Sequence, residues 1–218
     1  MELKLIIQNK SLSDQIYEIL KDNILKNYLR LGKNISVDEI AKKYNVSHTP
    51  AREALSKLKE DGLVISKKNR VHKIFNITEK ELIETMEIRK MCECYSIGKA
   101  IKSVKKEKFE SILKSVVGLE NFRKKDITSK FFSVDLIFHK TIIEGANNLK
   151  LLQIYNKIYF IIETVIYRID NKEKDINDFM SEHIEILSLI LKNDCNQAKK
   201  MLEKHLDHST NYYLKNFM

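Results

Sequence analysis

Four side chains in the C-terminal half of this 218-residue chain have the types and spacing to act together: Asp135, His139, His183 and His205. Asp135 and His139 stand four apart in the apolar run FFSVDLIFHKTII, so a helix would send both the same way. His183 and His205 fall on two later amphipathic stretches, SEHIEILSLIL and AKKMLEKHLDHS. Three imidazoles and one carboxylate meeting in a helical core would bind a first-row divalent metal. Taken singly, a histidine on an apolar helix face is more simply a hydrogen-bonded core residue. It is the set of four that calls for a metal.

The elements that would position these groups are mostly helices. One Pro and five Gly in 218 residues argue against a turn-rich β architecture, and 43% hydrophobic content is enough for packed cores. The length fits two domains. The richest apolar stretch, IYFIIETVIY, is interrupted by Glu163, and the opening MELKLIIQNK has no apolar run behind a basic start, so no membrane partner is expected. Cys92, Cys94 and Cys195 are odd in number and lack CxxC spacing, which fits reduced thiols and a cytoplasmic location. Net charge is +9, unevenly spread: residues 1–75 hold 15 Lys/Arg against 9 Asp/Glu, and the remainder 24 against 21. The basic N-terminal third suits a polyanion partner, although a solvated lysine-rich surface explains the charge alone equally well.

That N-terminal third reads as helix, helix, helix, hairpin. Leu12, Ile16, Ile19, Leu20 and Ile24 recur at helical spacing behind a Ser13 cap, and Gly32 marks a turn. Ser36 caps a short helix bearing Val37, Ile40, Ala41 and Tyr44. Ser47 opens a third helix with Pro50 in its first turn, Ala54, Leu55 and Leu58 inward, and Gly62 as its stop. LVISKKNRVHKIFNI then gives two β-prone runs around a basic tip at Lys68, Asn69 and Arg70. The layout is a winged helix–turn–helix, whose third helix would enter the major groove of double-stranded DNA. From Thr78 the pattern is helical throughout: a Thr78/Glu81 capping box starts a helix through Ile101, and amphipathic stretches follow at about 106–123, 128–144, 148–169, 176–192 and 195–215. The expected protein is mainly α, with a winged helix–turn–helix of three helices plus a β-hairpin over 1–76, then an all-α antiparallel bundle of about six helices over 77–218.

Residues 12–64, and above all NVSHTPAREALSKLKEDGLV, resemble the GntR family of bacterial transcription regulators, and the helical remainder resembles the FCD effector domain of its FadR-like branch. The resemblance implies DNA contacts from Ser47, His48, Thr49 and Arg52 on the third helix and from Lys68, Asn69 and Arg70 in the wing. Physically, Arg52 projects opposite Ala54, Leu55 and Leu58, free for phosphate or guanine unless Glu53 or Glu60 pairs with it. Two features depart from the family pattern: His48 stands where relatives usually carry Arg, and the wing has Asn69 and Val71 in place of its usual glycine. The FCD pattern, Asp-x3-His followed by a His on each of the last two long helices, matches Asp135, His139, His183 and His205. It implies a divalent transition metal, zinc first, with nickel or manganese compatible. His208, three residues on, is expected at the surface or behind the ligands.

Arg89, in ELIETMEIRKMCECYSIGKA, resembles the family's Arg-x3-Glu helix with Glu93 as partner. Beside a metal it would bind a small carboxylate effector; otherwise the two form a helix-surface pair worth about 0.3–0.5 kcal/mol. Asn147, Tyr167 and Arg168 are further candidates for such a site. The resulting expectation is a ligand-responsive regulator, a repressor rather than an enzyme, binding operator DNA as a homodimer. Two rivals are a metal-dependent hydrolase with a DNA-binding head, for which Glu93, Glu144 or Glu182 would supply the acid or base, and a regulator whose metal is a structural clamp.

Overall fold

A computed structural model describes residues 10–66, 72–121, 124–169 and 173–217. The chain divides into two compact units, residues 1–77 and 78–218.

In the first unit, α1 (Leu12–Leu25), α2 (Val37–Tyr44) and α3 (His48–Glu60) accompany a small sheet of β1 (Asn34–Ile35), β2 (Val64–Ser66) and β3 (His72–Ile74). Ile16, Leu20 and Ile24 form one stripe of α1, buried with Ala51, Ala54, Leu55 and Leu58 of α3. Each of the Ile and Leu side chains contributes roughly 1.5–3 kcal/mol through burial. The cap of α1 is Ser11, whose Oγ accepts the Asp14 N–H at 3.1 Å; Ser13, the expected cap, is buried within the first turn. A Ser36/Glu39 capping box starts α2, and Asn45 ends it at φ 51°. The two expected strands pair antiparallel as β2 and β3, joined by a third strand that hydrophobic periodicity does not reveal. β1 pairs antiparallel with β3, Ile35 opposite His72, while β2 flanks the other edge with Val64 opposite Ile74. Gly32, at φ 71°, turns the chain into β1 and donates its N–H to the Ile74 and Phe75 carbonyls.

The second unit holds α4 (Glu79–Ser103), α5 (Lys106–Val117), a 3-10 turn (Gly118–Asn121), α6 (Lys124–Gly145), α7 (Leu149–Arg168), α8 (Glu173–Leu191) and α9 (Cys195–Phe217). The Thr78/Glu81 capping box closes in both directions. α4 is the hub, packing against α6, α7 and α9, while α8 bridges α5 and α9. At Gly145 the α4–α6 approach is close enough that a Cβ would stand 2.6 Å from that of Ala100. Asn147 and Asn193 end α6 and α8 in the left-handed region, at φ 49° and 61°, where many helices use glycine.

Candidate functional site

In the first unit, Ser47 is the N-cap of α3, yet its hydroxyl makes no capping hydrogen bond. Ser47, His48, Thr49 and Arg52 are all exposed, and among the described residues no carboxylate pairs with Arg52, neither Glu53 nor Glu60. An uncapped helix N-terminus with a free guanidinium one turn on is suited to phosphates and base edges. His48 differs, since its Nε2 lies 3.5 Å from Asp38 Oδ1. Lys68, Asn69 and Arg70 lie outside the described residues.

In the second unit, the four chemistry-bearing side chains converge. Asp135 and His139 come from α6, His183 from α8 and His205 from α9, all at most 5% exposed. Each offers one ligand atom, and these lie within 4.8 Å of one another. A single ion with bonds of about 2.0–2.2 Å would close that spread with small side-chain shifts.

The direction of each ring is set from behind. His139 Nδ1 donates to Glu93 Oε2 at 2.5 Å, His183 Nδ1 to the Phe179 carbonyl at 2.7 Å, and His205 Nδ1 to Glu182 Oε2 at 2.7 Å. A carbonyl or carboxylate only accepts, so the proton of each ring sits on Nδ1 and a lone pair is left on Nε2. The three Nε2 atoms and Asp135 Oδ2 are buried without a hydrogen-bond partner. His183 Nε2 does approach Asp135 Oδ1 at 3.0 Å, but without the alignment of a hydrogen bond. Four buried polar atoms left unsatisfied in one core cost several kcal/mol in sum. The chemistry of this donor set, three imidazole lone pairs and a carboxylate oxygen, is that of a divalent metal.

Burial would raise the Asp135 carboxyl, but the His139 and His183 imidazoles hold it well below the usual carboxylate range. For His205, burial and its two neighbouring rings push the imidazole well below its ordinary value; it stacks on His139 with centroids 5.3 Å apart and meets His183 edge-on at 4.5 Å. Burial pushes His139 down too, but Glu93 outweighs it and the net shift is upward. Three rings this close cannot all be positively charged imidazolium ions. Phe131 and Phe138 make T-shaped contacts with His183, putting apolar surface beside the centre.

Arg89 and Glu93 form the expected pair, Nε to Oε1 at 2.8 Å, but it lies deep in the core, the two side chains being 1% and 0% exposed. The surface-pair alternative is therefore wrong. Glu93 Oε1 also accepts the Tyr155 hydroxyl at 2.8 Å. Burial works to raise Glu93, yet the His139 and Arg89 charges bring it down to about 2. Arg89 Nη1 is buried and unpartnered, as is Thr164 Oγ1 on α7. Of the three glutamates considered as acid or base, Glu93 is saturated by its donors, Glu182 accepts from both His205 and His208, and Glu144 is exposed. His208 stands half-exposed behind His205, its Nδ1 2.8 Å from Glu182. Asn147 and Tyr167 are exposed and Arg168 is partly so. Sequence reasoning missed Tyr155, and it named Glu182 for the wrong task; neither has a spacing relation to the residue it supports. The cysteines are free. No helix among the described residues is long and apolar enough to cross a membrane.

Comparison with known proteins places both units. A family of bacterial regulatory proteins, the gntR family, matches residues 12–73, and the FCD domain matches residues 84–208, more than half of the chain. The gluconate operon transcriptional repressor of Bacillus licheniformis is 23% identical over 194 residues, covering 86% of this chain and 79% of that protein. A solved GntR transcriptional regulator from Rhodococcus superposes with a TM-score of 0.78 at 19% identity, over 94% of this chain and 99% of that one. The metal-free FCD domain of the regulator TM0439 gives 0.57 at 23% identity, over 65% and 97%.

Proposed function

As the chain belongs to the GntR family of bacterial regulatory proteins and carries an FCD domain, we propose that it is a transcriptional repressor whose hold on operator DNA answers to a small carboxylate bound at a divalent metal. The observation that carries this reading is the convergence of one ligand atom each from Asp135, His139, His183 and His205, with the three imidazole Nε2 atoms unpartnered and a further orphan, Arg89 Nη1, in the same core. The four donors would hold the cation, with zinc the first expectation. Bound there, the ion supplies a Lewis-acidic coordination position for one carboxylate oxygen. Arg89 is suited to the rest of the anion, since a buried guanidinium with a free N–H finds no better partner than a carboxylate. A structural clamp would leave that buried N–H unexplained. A hydrolase would need a free general base, and Glu93 and Glu182 are spent on other donors.

The relative named for the gluconate operon points the same way, gluconate being a carboxylate. Ser47, Thr49 and Arg52 would meet DNA from α3, with His48 beside them and Lys68, Asn69 and Arg70 in the wing. Repression from a pseudo-palindromic operator needs two heads, and α4 offers a face for a homodimer: Ile88, Met91 and Tyr95 recur at helical spacing on its outer side, 38%, 73% and 50% exposed. The effector would act by favouring one placement of the two heads.

A thermal-shift screen of small carboxylates on metal-loaded protein tests sensing. At least one should raise the melting temperature of the wild type and not that of Arg89→Ala. A panel with no such hit, or hits unchanged in Arg89→Ala, contradicts the reading.

A further inference from the structure

One carboxylate joins the two halves of this site. Glu93 is fully buried on α4. Its Oε2 takes the Nδ1–H of His139, and its Oε1 takes the Nε–H of Arg89 and the hydroxyl of Tyr155. A single rigid group therefore spans the guanidinium whose Nη1 is unpartnered and the imidazole whose Nε2 belongs to the converging donor set. We propose that Glu93 is a positioning residue that couples the two sites, so that an anion at Arg89 and a cation at His139 each tighten the other's binding. This rests on the effector reading of Arg89 given above.

The argument follows from the shared carboxylate. Its two oxygens cannot move independently, and Tyr155 pins one of them. An anion docking on Nη1 draws the guanidinium toward itself and weakens its claim on Oε1. The charge so released on Glu93 is expressed at Oε2, where it strengthens the bond from His139 Nδ1–H and makes that ring a more basic metal ligand. By reciprocity, a cation on His139 Nε2 polarises the same Nδ1–H toward Glu93, loosening Arg89 for the anion. An anion shared by the metal and Arg89 already couples the two directly; the Glu93 relay adds to that coupling, whereas a glutamate that merely neutralised Arg89 and oriented His139 would add nothing to it.

The test compares Zn2+ affinity of the chelator-stripped full-length protein in saturating acetate with that in chloride at equal ionic strength. In the wild type, acetate should tighten Zn2+ binding by roughly fivefold or more. Glu93→Gln should bind Zn2+ roughly 10–100-fold more weakly, and its acetate effect should shrink to what direct coordination of the anion by the metal supplies. Glu93→Asp keeps the charge but is one methylene short of spanning both partners, and its acetate effect should shrink likewise. A wild-type ratio retained in either Glu93 variant overturns the coupling. A wild type indifferent to acetate, and matched by Arg89→Ala, instead defeats the effector reading and takes this proposal with it.

Discussion

The two units keep their chemistry at opposite extremes of exposure. On α3 of the first unit, Ser47, Thr49 and Arg52 stand in solvent with no internal partner for the guanidinium. In the second, Asp135, His139, His183, His205, Arg89 and Glu93 are almost fully buried, and each ring is held from behind by its own acceptor. The difference teaches what each site requires. A surface that meets a polyanion needs only that its groups be left free, because the partner supplies the satisfaction. A buried site must be braced on every side, and the atoms left unbraced mark where the ligand goes.

The comparison breaks most completely if the buried donors are dispensable. His183→Ala/His205→Ala should take bound metal from about one ion per chain to none by elemental analysis, since two of the four ligands are gone. A variant that keeps its metal would detach the site from these residues. Arg52→Ala is the matching change on the exposed side. Operator binding should weaken by about 1–3 kcal/mol per head in gel retardation, with metal content and melting temperature unchanged. A fall in melting temperature would show Arg52 to be structural.

A smaller effect sharpens the contrast. Glu182→Gln leaves all four ligands in place but loosens His205, so metal affinity should drop roughly 10–100-fold in a competition titration. An unchanged affinity would make the bracing irrelevant. The smallest probe is packing alone. Gly145→Ala puts a methyl 2.6 Å from Ala100 Cβ and Val104 Cγ2, and should cost about 1–3 kcal/mol in urea denaturation without altering DNA contacts directly. No loss of stability there would mean that α4 and α6 have room to part.

Much of this was legible before any coordinates. Helical periodicity and capping residues identified the helices, because both are local: Ser36 and Thr78 cap where their side chains reach the next turn. The Asp135/His139 pair was visible for the same reason, as an i,i+4 relation on one helix. What stayed hidden crosses between elements. Nothing in the spacing of Tyr155 and Glu93, or of Glu182 and His205, says that two helices will bring them together. The two-residue β1 is too short to show an alternation and exists only because β3 lies beside it. Arg89 and Glu93 were recognisable as a pair, yet i,i+4 ion pairs are usually solvent-exposed, and only the packing of α6, α7 and α9 on α4 puts this one inside. Even the Ser11 cap, mistaken for Ser13, turned on which hydroxyl the first turn buries.

X-ray absorption at the metal edge of purified, metal-loaded protein addresses the central claim most directly. The account predicts a shell of nitrogen and oxygen only, at about 2.0–2.2 Å, with the multiple scattering of about three imidazoles. Loss of that imidazole signal in His183→Ala/His205→Ala should accompany it. A sulfur shell near 2.3 Å, which would place the ion on the cysteines, or a spectrum without imidazole scattering, would contradict it.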